Sequence, residues 1–568
     1  MGKHTFRRLL PALLIAALAA GVGISESTAR GNNFDDSATA RNMKLFSYIM
    51  RTLDNSFVDT IDSDDITRAA IDAMLYKLDP YTQYFNEKEN LEFGEETNGE
   101  YGGIGIRLGT SRGHHAFGNP EKGSPADRAG LRSGDRIVKI DSVEIKPETD
   151  RNKVLSMLRG EPGSQVTVSV VRPYTPDSLK TFTLTREKLH MPAVSYSAIL
   201  PDGIGYIQLG TFSAGAAAEI EKILKEFKQD PNLKGMVIDL QQNGGGLLSE
   251  AVSLAGFFVP RRTHIVTTRG RSDEVRREYQ TPREPVMPDI PLAVLIDGGS
   301  ASASEVFAGA MQDLDRAILV GERSFGKGLV QTTQEAPDGG MLKYTVAKYY
   351  IPSGRLIQAR DYSHRNEDGT PGYTPDSLTR VYHTRNGREV RDGGGLKPDI
   401  SLPDSLVSPF IYSLLNTSTP SDFADKFAAE HPSIAPAAEF EISEEDYGKF
   451  KEFVAQEGFT YEPDASKYLK ALRDLMKNDK VLTPDLTARI DSLESAMKPD
   501  LNELLDTNSQ FLKELLSRWI ASHYYYTAGG VENGLKYEKP LIKAREILLD
   551  RKRYDAILSG KEKPEKKK

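Results

Sequence analysis

The chain has no cysteine among its 568 residues. That absence removes disulfides, thiolate nucleophiles, thiolate metal sites and a thioether-linked lipid anchor. Nine histidines are present, scattered at His190, His264, His364, His383, His431, His523 and elsewhere, with no cluster at zinc-ligand spacing. No metal and no cofactor is therefore expected. Positive charge is not in excess. The formal net charge is −8, which argues against a nucleic-acid partner or an acidic membrane surface. Basic residues do gather at Arg261, Arg262 and 269–277, and a solvated face is the ordinary meaning of such a run. Long apolar runs are missing too, with one exception at 9–24.

That exception follows Met-Gly-Lys-His-Thr-Phe-Arg-Arg, a positively charged lead, and carries small residues at 17–21. This is the layout of a signal peptide. The run is short beside the ~17–25 residues that a spanning helix needs. Export is the expectation, with retention as a membrane anchor through 9–24 the alternative. Residues 25–40 are small and polar and read as a linker. Hydrophobic content of 39% and charged content of 27% are those of an ordinary globular protein. The length exceeds what one core serves, so three or four domains are expected.

The stretch with the most chemistry is Asp297-Gly-Gly-Ser-Ala-Ser-Ala-Ser-Glu305. The branched apolar run 291–296 before it reads as a buried strand, and Phe307, Ala310, Met311 and Leu314 after it have the spacing of one helix face. A turn of small residues thus puts Ser302 at a helix start. Free amides there, Ala303 foremost, can stabilise a developing oxyanion. A serine hydroxyl needs a base, and no histidine is close in sequence. Lys327 follows Ser302 by 25 positions in Phe-Gly-Lys-Gly-Leu-Val-Gln331. Its ammonium would be useless at an ordinary pKa of ~10.4, but apolar surroundings lower that value. Gln331, four residues on, can share a face with Lys327.

Two other readings of this region fail. Gly321 to Gly328 nearly spells a phosphate-binding loop, yet Gly328 replaces the hydroxyl that would hold Mg²⁺. The turn is also not the Gly-x-Ser-x-Gly elbow of Ser-His-Asp hydrolases.

Upstream, residues 42–88 have helical spacing and end at Leu78-Asp-Pro-Tyr-Thr-Gln-Tyr-Phe85, with Pro80 as the stop. A compact unit opens at Gly102-Gly-Ile-Gly-Ile106 and runs to about 186. It contains Gly123-Ser-Pro-Ala…Gly130-Leu and Gly134-Asp, a helix over 150–158 and strands over 166–171 and 181–185. Its phrases resemble a PDZ domain. That resemblance implies that amides of Gly102, Gly103, Ile104, Gly105 and Ile106 receive a peptide's terminal carboxylate, with Val154, Leu155 and Leu158 beside the last side chain. Strands at 204–209 and 235–240 begin an α/β region, the second ending in Gln241-Gln-Asn-Gly-Gly-Gly246. Residues 343–351 read as a strand, and 361–395 as a long polar excursion. Residues 405–560 read as a separate helical region, with Leu501, Leu504, Leu505, Phe511, Leu512, Leu515, Leu516 and Trp519 as an apolar face.

Taken together, Ser-Ala-Ser-Ala-Ser-Glu, Gln312-Asp313, Phe-Gly-Lys-Gly-x-Val-Gln and Gly-Leu-Lys-Pro-Asp399 closely resemble the C-terminal processing, or tail-specific, peptidases. The resemblance spans about 78–403. It implies a Ser/Lys dyad of Ser302 and Lys327, with Gln331 positioning the lysine. It also implies an oxyanion hole of the Ala303 amide and a glycine amide of the 241–246 turn, here assigned to Gly245. This chain departs from the family phrase Asp-Leu-Arg-x-Asn-Pro-Gly-Gly at Gln241 and Gly244. The fold implied is a multidomain α/β + β chain with a PDZ domain inserted ahead of a ClpP/crotonase-like α/β protease core. The boundaries are 1–24 signal or anchor, 25–40 linker, 41–97 N-terminal helical segment, 98–188 PDZ, 189–403 core, 405–560 C-terminal helical domain and 561–568 basic tail. The function implied is that of an exported, periplasmic serine endopeptidase acting on proteins or peptides with free C-termini. Region 405–560, outside that resemblance, would serve assembly, as homo-oligomer or adaptor contact, or substrate access. The competing class is a catalytically silent PDZ scaffold, which would require loss of Ser302 or Lys327.

Overall fold

The computed structural model describes residues 36–175, 178–272, 276–366, 370–402 and 407–561. The signal-like run, most of the linker, Pro403 and most of the basic tail lie outside them. Among the described residues no helix is long and apolar enough to cross a membrane.

Residues up to 74 and those from 75 on form two compact units. The first holds helix Asp36–Ser56 and most of Ser63–Tyr76. In the latter, Asp62 Oδ1 accepts the amides of Asp64 and Asp65, satisfying two of the free donors of a helix start. The segment 41–97 is not uniformly helical. Asp79 turns the chain, and β1 (Gln83–Phe85) pairs antiparallel with a core strand before helix Glu87–Asn98 begins.

The inserted unit is a six-stranded sheet built on Ile106–Ser111, His114–Pro120, Arg136–Ile140, Gln165–Val171 and Leu179–Thr185, with the short strand Val143–Glu144 beside Arg136–Ile140. Strict alternation explains it: Val166, Val168 and Val170 are buried, while Thr167 and Ser169 lie on the other face. Helix Arg151–Leu158, capped by Asp150, sends Val154 and Leu158 into the same core. The two ends of the insertion are stitched together by strand Glu100–Gly103 against Glu187–His190.

The core is a second sheet of six strands. In order these are Val194–Ile199, β2 (Ile204–Leu209), β3 (Gly235–Asp239), β4 (Leu292–Ile296), then, beyond helix α1 (Ala303–Asp313) in sequence, β5 (Ile318–Gly321), and Ile400–Ser401. All pairs but the first are parallel. Continuous apolar strands of this kind are buried on both faces. A smaller antiparallel sheet carries β6 (Leu329–Glu335) and β7 (Met341–Tyr350), to which β1 and His264–Gly270 are added. Val294 and Ile296 of β4 face a core shared with α1 and Tyr349 of β7. Ala293 and Leu295 face the other way.

What covers that other face differs from the sequence reading. Residues 409–558 are mainly helical, and Phe423, Phe450, Leu505, Leu512, Leu516 and Ile520 form a core of their own. The last two helices, however, leave that core. Leu541, Ala544, Ile547 and Leu548 of α2 (Lys539–Leu549) and Tyr554 and Ile557 of α3 (Arg551–Leu558) pack on Ala293, Leu295, Val320 and Tyr206. The C-terminal region is therefore not separate: its end closes the core sheet. The physical reason is that a two-faced sheet needs apolar cover that the 189–403 segment supplies on one face only. The helical region also holds the inserted unit. Ser111 donates to Asp422 at 2.6 Å, the Arg112 amide to Ser418 Oγ at 2.8 Å, and Tyr526 to Asp127 at 3.2 Å. The tract 361–395 is less open than expected, since it contains the two small hairpins Arg360–Arg365 with Pro371–Tyr373 and Val381–His383 with Glu389–Arg391.

Candidate active site

β4 ends at Ile296, and the chain turns through Asp297–Ser300 into α1. Asp297 Oδ1 accepts the amides of Gly299 at 2.9 Å and Ser300 at 3.1 Å, which folds the turn on itself. The same oxygen accepts the Gln242 amide at 2.9 Å, so the turn is tied to the loop after β3. Two more bonds fuse these loops: the Asn243 carbonyl accepts from the Ala301 amide at 3.0 Å and from Ser304 Oγ at 2.9 Å.

Ser302 sits at the junction with φ 57° and ψ −115°. A non-glycine residue in that region is strained by about 1–3 kcal/mol and is held only by over-determined surroundings. Here the clamp is Glu305. Its buried carboxylate accepts the Ser302 amide at 2.9 Å, the Lys327 amide at 2.8 Å, the Gly326 amide at 2.8 Å and the Ser324 hydroxyl. One oxygen, Oε2, takes both the Ser302 and the Lys327 amides. The structure thus brings these two residues, 25 apart in sequence, to within a few ångströms along the backbone. Tyr349 of β7 shares its hydroxyl proton between the carbonyls of the same pair, Lys327 and, at 3.2 Å, Ser302. Burial pushes the Glu305 carboxyl up to about 7, against the pull of its four donors.

Lys327 follows Gly326, whose φ is +85° and where a Cβ would stand 2.4 Å from Ala359 Cβ. The lysine is half-buried, and its Nζ lies 4.3 Å from the centre of the Tyr81 ring. Burial lowers its pKa from the ordinary range to about 8; the like charge of Lys343 adds to this, and Glu305 and Asp79 oppose it. The rings of His264, His431 and His523 are engaged elsewhere, by Thr267, the Phe427 carbonyl and Asp425.

The other expected site residues fall out unevenly. The Ala303 amide opens α1, where backbone donors have no intrahelical acceptor. Gly245 is pressed against the serine: its φ is +104°, and a Cβ there would stand 2.7 Å from the Ala301 carbonyl and 2.8 Å from Ser302 Cβ. Yet its own N–H donates to Asn243 Oδ1 at 2.9 Å. Gln331 lies in β6 and gives its amide to Thr345 Oγ1 at 3.0 Å. Its tie to Lys327 is indirect, since the Thr345 amide donates in turn to Thr82, beside Tyr81. In the inserted unit, Gly102 and Gly103 belong to the stitching strand. The turn proper is Ile104-Gly105, whose carbonyls accept from Ala126 and from Glu121 and Ser124, leaving the amides of these two residues without a protein acceptor among the described residues.

Glu305, Tyr349 and Tyr81 were missed by sequence reasoning. For Glu305 a signal existed: Ser302-Ala-Ser-Glu305 spells a capping box, whose fourth residue reaches back to the first amide. Tyr349 gave none, and Tyr81 stands in the phrase Leu78–Phe85, which reads on its own only as a helix terminus. The Gln312-Asp313 phrase is explained by Arg355, fully buried, which donates to both at 2.8 Å. The Pro-Asp phrase is explained by Asp399, which accepts the Leu319 amide of β5 and the Gln312 side chain.

Comparison with known proteins follows this anatomy. Residues 203–376 match the model of peptidase family S41, 117–172 that of the PDZ domain, and 410–548 that of the C-terminal helical domain of probable PDZ-proteases. A probable CtpA-like serine protease of Staphylococcus aureus (strain COL) is 30% identical over 474 residues, 82% of this chain and 92% of the relative. A protein of the same description from Staphylococcus epidermidis is 32% identical over 351 residues, 60% of this chain and 69% of that one. Among solved structures, a photosystem II D1 C-terminal processing protease is 28% identical, with a TM-score of 0.34, over 64% of this chain and 88% of its own. A serine at a strained strand-to-helix turn, a half-buried lysine clamped beside it and an inserted PDZ domain thus meet in one chain, and that chain belongs to peptidase family S41, the C-terminal processing peptidases, as a serine-type peptidase.

Proposed function

We propose that the protein is an exported endopeptidase that cleaves proteins or peptides recognised by their free C-termini, with Ser302 as nucleophile and Lys327 as general base. The observation that carries this reading is the shared clamp: one Glu305 oxygen holds the backbones of both residues. Neutral Lys327 Nζ takes the Ser302 proton as Oγ attacks the scissile carbonyl carbon. The oxyanion then forms against the Ala303 amide. Collapse breaks the C–N bond, the lysine returns its proton to the leaving amine, and water repeats the sequence on the acyl-enzyme. Gly245 shapes this hole by letting its loop approach; its N–H becomes a second donor if it turns from Asn243. Gln331 supports the lysine through Thr345 and the Thr82 turn.

The PDZ domain supplies capture of the carboxylate at the turn of Ile104, Gly105 and Ile106, the chemistry such amides are suited for. Kinship of the core with the ClpP/crotonase-like folds is supported by its parallel sheet, which delivers helix-start amides to the serine. Export is supported by the charged lead and apolar run of residues 1–24. A fluorophosphonate serine-hydrolase probe tests the assignment: it labels wild type and fails to label Ser302→Ala. Labelling of the Ser302→Ala protein at the wild-type rate would overturn it.

A further inference from the structure

The segment that joins the N-terminal helices to the inserted domain supplies neither nucleophile nor base, yet it carries an aromatic ring set against Lys327. Lys327 Nζ stands 4.3 Å from the centre of the Tyr81 ring. That ring is held from three sides. Asp79 Oδ1 accepts the Tyr81 and Thr82 amides at 2.9 and 2.8 Å, closing a tight turn. Thr82 Oγ1 accepts the Thr345 amide of β7, and β1 continues from there into the sheet. The Tyr81 hydroxyl meets that of Tyr362 at 3.2 Å, and the two rings pack edge to face. A residue fixed so thoroughly beside one amine has a definite place to put it.

We propose that Tyr81 is a positioning residue for the base: the face of its ring holds the Lys327 ammonium and sets the pH at which the amine becomes free to act. The proposal rests on Lys327 being the base. An aromatic face carries negative charge density and attracts a cation more strongly when water is excluded. It therefore favours charged Lys327 and opposes the burial that lowers its pKa. The other groups that bear on the amine are Lys343, against its charge, and Glu305 and Asp79, in favour; Arg360 faces Tyr81, and Tyr349 is buried close by. Unlike the carboxylates of Glu305 and Asp79, the ring acts without competing for the proton. Once Lys327 is neutral the attraction disappears, and the amine is released toward the serine hydroxyl.

The test is the pH profile of single-turnover labelling of Ser302 in the full chain, with residue 81 replaced by Phe and then by mono-, di- and trifluorophenylalanine. These rings keep one shape while their faces lose negative charge. The inflection should step toward acid with each fluorine, by about 0.5–1 pH unit in all, and Tyr81→Phe should stay close to wild type. An inflection that does not move along the series would overturn the proposal, as would a Tyr81→Phe shift as large as that of the trifluoro ring, which would assign the effect to the hydroxyl and Tyr362. Lys327→Ala separates the two levels. If that variant labels with the wild-type profile, the base assignment itself falls and the proposal falls with it. If it is inactive while the fluorinated series is unmoved, only the role of Tyr81 is lost.

Discussion

At the scale of single residues the site is a problem of protons and backbone strain. As the proposed base, Lys327 must be neutral to accept the serine proton, and burial brings its pKa down to about 8. The sign follows directly: the active form is the deprotonated one, so acylation should be slow below that value and rise through it to an alkaline plateau. A histidine base would instead give a rise near ~6.5, and single-turnover pH profiles distinguish the two. Ser302→Ala and Lys327→Ala should each abolish cleavage without unfolding the chain. The double variant should lose little more than either single one, because the two groups act as a unit. Glu305→Gln is a sharper probe. It keeps the shape but turns one acceptor oxygen into an N–H donor that faces other donors, so the clamp on Ser302 and Lys327 should open. A fall in kcat of about 10²–10³ is expected, the size of losing one preorganised contact in an oxyanion site. An unchanged kcat would mean that the clamp is dispensable.

Elements explain why certain glycines are fixed. The loop after β3 must approach the serine closely, and it does so at Gly245, where a Cβ would strike Ala301, Ser302 and Ala303 at 2.7–2.9 Å and where φ is +104°. Gly245→Ala should cost about 1–3 kcal/mol of strain and most of the activity. Its neighbour Gly244 has no atom within 4 Å of such a Cβ and no positive φ, so Gly244→Ala should be nearly silent in both thermal unfolding and turnover. Equal behaviour of the two variants would refute the close-approach argument. The contrast also bears on the departure of this chain from the family phrase at Gly244: the structure leaves room for a larger residue there, and none at Gly245.

On the scale of the whole molecule, the last two helices cover the core sheet and the inserted domain is docked on the helical region. Deleting 539–568 strips α2 and α3 from Ala293, Leu295, Val320 and Tyr206, so the protease core should not survive as a folded unit. Within the intact chain, Leu541→Ala or Ile547→Ala, both fully buried, should each cost about 2–5 kcal/mol. A truncated chain that stayed folded and still labelled at Ser302 would show the cover to be dispensable. The PDZ domain is bonded to the helical region through Ser111–Asp422, Arg112–Ser418 and Tyr526–Asp127. A bound carboxylate can shift that arrangement only by its differential affinity for the docked and undocked forms. At saturation, a peptide with a free C-terminus should therefore show a higher kcat than its amidated twin. Equal values would leave the domain as a tether alone.

Local chemistry is what the sequence by itself determined. Small residues between an apolar strand and an amphipathic run place Ser302 at a helix start. Glycines around a lysine mark Lys327, and short runs rich in branched residues at 166–171 and 181–185 mark strands of the inserted unit. Each of these follows from the backbone conformations that a few consecutive residues can adopt, so neighbouring positions suffice. Tertiary structure decided whatever depends on surface meeting surface. Tyr81 and Tyr349 reach the Ser302–Lys327 pair from 246 positions before Lys327 and 22 after it, by strand pairings that no local pattern encodes. The division of 405–560 into a helical core and a cover for the distant β-sheet was hidden for the same reason. An apolar helix face shows that something must bury it, and only the fold shows which surface does.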